Sequence, residues 1–311
     1  MRNRFGKTLS ELMKQNDSIF YITADTGNAE LYKNIDFYKD RYLNVGIAEQ
    51  NMIGVASGLA FEGKTVVVNS IGNFPILRCY EQIRDDVAYH KLNVKICTTG
   101  GGLSYGPAGV THHASEDFSV MRAMPHVKCF APGDPDEVEK VTQLMMKIDG
   151  PCYLRIGYAN EISIPKTKPL VIEFGKAVSY IEGNQVAIFT AGSILSEGYK
   201  AATMLNECGI STALCSFPTI NPIDKSFLQD CFKKYDLIVT MEENVLNGGF
   251  GSSISEVYAQ TFEKKSVIKM FGLVDEFPEI IGDRAYLEEQ YHLTANDIVS
   301  YVKDYYKQNK I

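Results

Sequence analysis

Glu49 opens an otherwise apolar stretch, Asn44-Val45-Gly46-Ile47-Ala48-Glu49-Gln50-Asn51-Met52-Ile53-Gly54-Val55-Ala56-Ser57-Gly58-Leu59-Ala60. An acid so placed has two uses. It complements the positive end of a helix dipole, or, shielded from water by its apolar neighbours, it serves as a directional partner for proton transfer. Gly54 and Gly58 lie four residues apart, share one helix face and permit close backbone approach. That face is expected to pack against a cofactor or another subunit. A second candidate is the glycine-rich run Gly100-Gly101-Gly102-Leu103-Ser104-Tyr105-Gly106-Pro107-Ala108-Gly109-Val110-Thr111-His112-His113. It is not a Walker A loop, because no Lys-Ser/Thr follows. An imidazole at its end donates or accepts near neutral pH. Paired histidines also ligate metals, but no third ligand stands near them in sequence. Asp25 closes the run Thr23-Ala24-Asp25, at a strand end where ligands gather in α/β sheets; a capping or turn acid is an equal account of it.

These residues need a scaffold, and the pattern around them alternates. Residues 19–22, 65–68, 94–97 and 152–156 read as β-strands, with helical stretches near 49–62, 77–90 and 134–148. A second series sets strands at 186–189, 212–215 and 237–240 among helices near 193–207, 224–233 and 250–262. Alternation of this kind predicts an α/β fold of two doubly wound domains, each a parallel sheet with helices on both faces. The polar, two-proline stretch Ile164-Pro165-Lys166-Thr167-Lys168-Pro169 reads as a linker. The expected division is 1–163, a linker over 164–185, and 186–311. Residues 305–310 read as a fraying helix end.

Composition narrows the function classes. A chain of 311 residues with 45% hydrophobic content can bury two cores. A net charge of −7 disfavours nucleic acid and acidic membrane surfaces. The seven cysteines form no CxxC pair and read as reduced thiols of a cytoplasmic protein. No run of about 20 apolar residues offers a membrane span.

Gly46-Ile47-Ala48-Glu49-Gln50-Asn51-Met52 resembles the pyrimidine-domain motif of transketolases and their relatives, including 1-deoxyxylulose-5-phosphate synthase. The resemblance continues through Tyr80-Glu81-Gln82-Ile83-Arg84-Asp85-Asp86-Val87-Ala88 and covers nearly the whole chain. It implies a pyrimidine-binding domain followed by a transketolase C-terminal domain, with thiamine diphosphate as cofactor. Glu49 would then bond N1′ of the aminopyrimidine, Phe74 would stack on that ring, and Asp25 would lie near the cofactor. His112 matches a histidine that contacts the reacting oxygen of the sugar. Arg155 and Arg2 match arginines that bind the sugar phosphate, a task suited to a guanidinium fork. For Phe74 the alternative is a core ring, for Arg155 a strand-end ion pair, and for Arg2 a surface residue.

The chain departs from full-length relatives in three ways. Ala108 stands where they have an aspartate four residues before the loop histidine. Thr98-Thr99-Gly100-Gly101 lacks their earlier loop histidine. Most consequential, no Gly-Asp-Gly followed about 30 residues later by Asn occurs: Gly282-Asp283-Arg284 and Gly133-Asp134-Pro135 lack the second glycine. The resemblance therefore implies half of a split transketolase, with Mg²⁺ and the diphosphate held mainly by an N-terminal-type partner subunit. A heterotetramer acting on sugar phosphates is expected. Gly248-Gly249-Phe250-Gly251-Ser252 is read as structural, assisting dimerisation. Two other readings stay open: the β subunit of a 2-oxo acid dehydrogenase decarboxylase, and a non-catalytic regulatory homologue.

Overall fold

The computed structural model describes residues 1–158, 161–166 and 169–309. Thr167 and Lys168 of the expected linker, and Lys310 of the expected fraying end, lie outside the described residues. Two sheets form. The first contains β1 (Ile19–Thr23), β2 (Tyr42–Asn44), β3 (Thr65–Ile71), β4 (Val94–Thr99), β5 (Lys128–Phe130) and β6 (Cys152–Ile156). The second contains β7 (Val178–Ile181), β8 (Val186–Ala191), β9 (Thr212–Ser216), β11 (Leu237–Val245) and β12 (Val267–Leu273). One further strand, β10 (Thr219–Asn221), leaves the second series and joins the first sheet. The orders are β10-β5-β6-β4-β3-β1-β2 and β12-β11-β8-β9-β7. All pairings are parallel except β10 with β5 and β7 with β9.

The helices are α1 (Arg2–Gln15), α2 (Ala29–Tyr32), α3 (Glu49–Phe61), α4 (Asn73–Arg78), α5 (Tyr80–Gln82), α6 (Asp117–Arg122), α7 (Pro135–Met145), α8 (Leu195–Glu207), α9 (Lys225–Lys234), α10 (Phe250–Ala259), α11 (Arg284–Gln290) and α12 (Ala295–Asn309). The central strands are Val- and Ile-rich and buried along their length, as strands covered on both faces must be.

Three sequence expectations change. The single helix expected near 77–90 is broken: α4 ends at Arg78, α5 is one turn, and Ile83–Ala88 is π-helical. The linker is shorter than 164–185, since Val178–Ile181 pairs with β9 as an edge strand of the second sheet. The two domains are also not separate in their packing. β10 extends the first sheet, and Phe118 and Met121 share a core with Phe217, Phe250 and Ile254. Helix α1 buries Phe5, Leu9 and Met13 at four-residue spacing, an apolar stripe that its basic residues mask in the sequence. All seven cysteines are free, six of them buried and Cys208 exposed.

Because β1 to β6 run parallel, their C-terminal ends gather at one edge. β1 leads to Asp25, β2 to Glu49, β3 to Phe74, β4 to the glycine-rich loop and β6 to Tyr158. This is where α/β sheets place ligands.

Candidate active site

Glu49 is the first residue of α3 and only 2% exposed. Arg78, the last residue of α4, donates to its Oε2 at 2.6 Å. The guanidinium carbon of Arg78 lies 5.2 Å from the Phe74 ring centroid, a cation–π contact. Phe74 in turn meets His112 edge-to-face at 5.0 Å between centroids. From His112 the series continues to Tyr105 at 6.0 Å, from Tyr105 to Tyr158 at 4.6 Å, and from Tyr158 to the Arg2 guanidinium at 5.7 Å. Glu49, Phe74, His112 and Arg2 therefore line one continuous wall, although they come from four separate segments.

Hydrogen bonds fix its parts. Asn73 Nδ2 donates to Thr111 O at 2.9 Å, tying the start of α4 to the end of the glycine-rich loop. His112 Nδ1 and Thr111 Oγ1 lie 3.0 Å apart. Arg2 Nη2 donates to Gly27 O. Asp25 is exposed, with φ +56°, and its N–H donates to Asn44 Oδ1 at 3.0 Å. The same Asn44 oxygen accepts from Gly46 N at 3.0 Å, so Asp25 is coupled to the turn that presents Glu49. Asp25 is not the cap of the following helix; Asn28 fills that role for α2.

Burial raises the Cys79 thiol to about 12, and the nearby Glu49 carboxylate adds to the shift. Burial also raises the Tyr105 phenol to about 12, leaving it a neutral donor at the wall. His113 faces inward. Burial lowers its pKa, opposed in part by the Gly106 backbone, so burial disfavours its charged form. Among the described residues no group of three or more His, Cys, Asp or Glu is placed to hold a metal ion.

Arg155 does not join the wall. It lies within β6, 4% exposed. Its Nη1 donates to buried Asp117 Oδ1 at 3.0 Å and its Nη2 to Glu243 O at 2.7 Å. The guanidinium carbon sits 4.4 Å from the Phe118 ring centroid. The alternative given for it, an ion pair, is what the geometry supports.

Sequence reasoning missed Arg78, Tyr105 and Tyr158. The spacing of Arg78, four residues after Phe74 and so on the same helical face, was the available signal. Helix α3 is also not buried all round. Asn51, Gly54, Gly58 and Phe61 recur at helical spacing and are exposed, as is Ile47 just before the helix. A Cβ added to Gly54 or Gly58 would meet nothing within 4 Å.

A shielded carboxyl group, a half-buried phenyl ring and an imidazole stand together at one strand edge: an acceptor, an aromatic face and a group that donates or accepts. The two sheets and their covering helices make this a two-domain α/β protein with the wall at the strand ends of its first domain. Residues 1–160 match the transketolase pyrimidine-binding domain and residues 175–298 the transketolase C-terminal domain; the chain belongs to the transketolase family. It is 33% identical over 285 residues to an apulose-4-phosphate transketolase subunit of Actinobacillus succinogenes, covering 91% of this chain and 90% of that one. It is 32% identical over 308 residues to 1-deoxy-D-xylulose-5-phosphate synthase of Pelotomaculum thermopropionicum, covering 98% of this chain and 48% of that one. A solved split-gene transketolase, described as an inactive β4 tetramer, superposes with a TM-score of 0.86 at 32% identity and 97% coverage of both chains. The chain therefore carries the pyrimidine-binding and C-terminal domains of the transketolase family, and the pyrimidine-binding domain implies thiamine diphosphate. No helix among the described residues is long and apolar enough to cross a membrane.

Proposed function

We propose that this chain is the pyrimidine-binding half of a two-chain transketolase. The enzyme would move a two-carbon ketol unit from a ketose phosphate to an aldose or aldose phosphate. The observation that carries this reading is the wall itself: a carboxyl group shielded at the start of α3, joined through Arg78 and Phe74 to the His112 loop.

Thiamine diphosphate, when bound, supplies the carbon nucleophile that this chain lacks. Glu49 would hold the proton at N1′ of the aminopyrimidine. Shielding from water makes that hydrogen bond strong and directional. Phe74, half exposed on α4, would stack on the ring face. His112 would hold or release a proton at the substrate's reacting oxygen. Arg2, held over Tyr158, would meet the phosphate end of the sugar, now without help from Arg155. Asp25 would act through Asn44 on the turn before Glu49.

A partner of the N-terminal type would supply the site for Mg²⁺ and the diphosphate. The stripe Ile47, Asn51, Gly54, Gly58 and Phe61 is the surface on which that partner would close, because glycines with no neighbour in their own chain leave room for another chain's backbone. Assembly into a heterotetramer, in the cytoplasm, completes the reading.

The test is reconstitution. The chain is combined with a partner carrying the Gly-Asp-Gly…Asn motif, thiamine diphosphate and Mg²⁺. Ketose phosphates, apulose 4-phosphate among them, are then screened for two-carbon transfer to aldose acceptors. Condensation of pyruvate with an aldehyde, and no ketol transfer, would move the assignment to the synthase branch.

A further inference from the structure

The segment carrying His112 is a closed loop. Gly102 N donates to Ala114 O at 3.1 Å and Ala114 N to Gly102 O at 3.0 Å, so residues 103–113 hang from a two-residue neck. The C-terminal domain supplies no residue to the wall that runs from Glu49 to Arg2, yet it supports this loop at three places.

The first is the neck. A Cβ on Gly101 would lie 2.2 Å from Arg155 Nε, and a Cβ on Gly102 would lie 2.4 Å from Glu243 Cβ. Only glycine lets the chain press this closely on both side chains, and at Gly102 the φ of +60° also favours it. Arg155 bonds the Glu243 backbone oxygen. The Glu243 carboxylate is gripped in turn by both arms of Arg284, Nε at 2.8 Å and Nη2 at 3.0 Å. The second place is the outgoing arm, where Val245 N donates to Ser115 O at 2.7 Å. The third is the tip, where a Cβ on Gly106 would lie 2.2 Å from Gly282 O, two residues before Arg284.

We propose that the C-terminal domain positions His112: Arg284, acting through Glu243 and Arg155, fixes the neck of the glycine loop and with it the reach of the imidazole along the wall. Arg284 touches no substrate and is a positioning residue. A bidentate guanidinium–carboxylate pair suits the task, because its planar geometry restricts both partners. The catalytic side of the inference rests on the proposed function; the order of the loop does not.

Two arms test it. In the full chain alone, hydrogen–deuterium exchange is followed by mass spectrometry for wild type, Arg284→Gln and Arg284→Lys. Arg284→Gln is expected to speed exchange in residues 103–113 by about tenfold or more while leaving 49–61 at the wild-type rate, because the fixed neck is what limits opening of the loop. Arg284→Lys, which keeps the charge and loses the fork, falls between. Wild-type exchange in the loop, or an equal rise through both domains, overturns the proposal. In the assembled complex, Arg284→Gln is expected to lower kcat about tenfold with thiamine diphosphate affinity and C2 proton exchange unchanged. It costs nothing further in a His112→Ala background, as coupled residues behave. Full additivity with His112→Ala overturns the positioning role. A wild-type complex inert toward every donor removes the functional reading, and the exchange arm still decides the loop.

Discussion

Arg78 reaches from the end of α4 to Glu49 at the start of α3, Nη1 to Oε2, across 2.6 Å. The two side chains differ in burial: that of Glu49 is 3% exposed and that of Arg78 49%. A carboxylate withdrawn from water needs a partner, and this one is supplied by a residue still half in solvent. The buried acid is therefore compensated in the free chain by a cation that can move. A ring nitrogen arriving at Glu49 would meet a displaceable competitor.

Arg78→Met should lower the stability of the isolated chain by about 1–2 kcal/mol, below the roughly 3–5 kcal/mol typical of fully buried pairs because Arg78 is half solvated. The loss should vanish when Glu49 is already Gln. Urea denaturation of the two single variants and the double variant measures this. Purely additive effects would show that the pair does not stabilise the chain.

Glu49→Gln keeps size and hydrogen bonding and removes the acid. In the assembled complex, C2 proton exchange of thiamine diphosphate and two-carbon transfer are both expected to fall by about 10²–10⁴-fold. Assembly should persist, since the Gly54–Gly58 face is untouched. NMR of C2 exchange decides: a wild-type rate reduces Glu49 to a first-turn acid complementing its helix.

The two-domain α/β plan was legible because parallel βαβ units leave strong local marks, continuous Val and Ile runs alternating with amphipathic helices. Glu49 stood out for the same local reason, an acid on an apolar, glycine-bearing helix. What sequence hid was non-local. Nothing in the pattern shows that β10 crosses to the other sheet, since three residues in an extended connection carry no period. The role of Arg155 depends on Asp117 and Glu243, 38 and 88 residues away. Likewise the wall from Phe74 to Tyr158 exists only once β3, β4 and β6 lie side by side.

Glu137 gives the chain a pH dependence. It sits on α7 and accepts hydrogen bonds from Tyr180 at 2.9 Å and Ser216 at 3.0 Å, both in the second sheet, and from Gly133 N at 2.6 Å. Burial raises its carboxyl to about 7, and the backbone donor only partly offsets this. Between about pH 4.5 and 7 the folded chain holds a proton here that the unfolded chain has released, so this contribution declines as pH rises through that window. Glu137→Gln should flatten the curve: its stability relative to wild type should improve by roughly 1–3 kcal/mol from about pH 5 to about pH 8. Denaturation midpoints at the two pH values check this, and parallel profiles would place the titration elsewhere.

The two arginines that the family resemblance treats alike should separate by experiment. Arg155→Ala strips a buried aspartate of its cation, leaves Glu243 O without its donor and empties the space beside Phe118. Burial already pushes the Asp117 carboxyl up, with Arg155 pulling it back. Removing the arginine should therefore cost about 3–5 kcal/mol of stability. Whatever activity survives should fall equally for phosphorylated and unphosphorylated donors if the buried guanidinium of the wild type stays paired with Asp117 and Glu243 O. Arg2→Ala should behave differently. Arg2 lies at the far end of the wall, held by one carbonyl and the face of Tyr158, so its loss should leave folding nearly intact. It should raise KM for a ketose phosphate, relative to the unphosphorylated ketose, by about tenfold or more, the loss of a charge-assisted bond. Steady-state kinetics on matched donor pairs, with denaturation of both variants, separates the cases. A selective KM effect at Arg155 would return the phosphate to β6, and an equal effect on both donors at Arg2 would leave the phosphate end of the substrate without a partner on this chain.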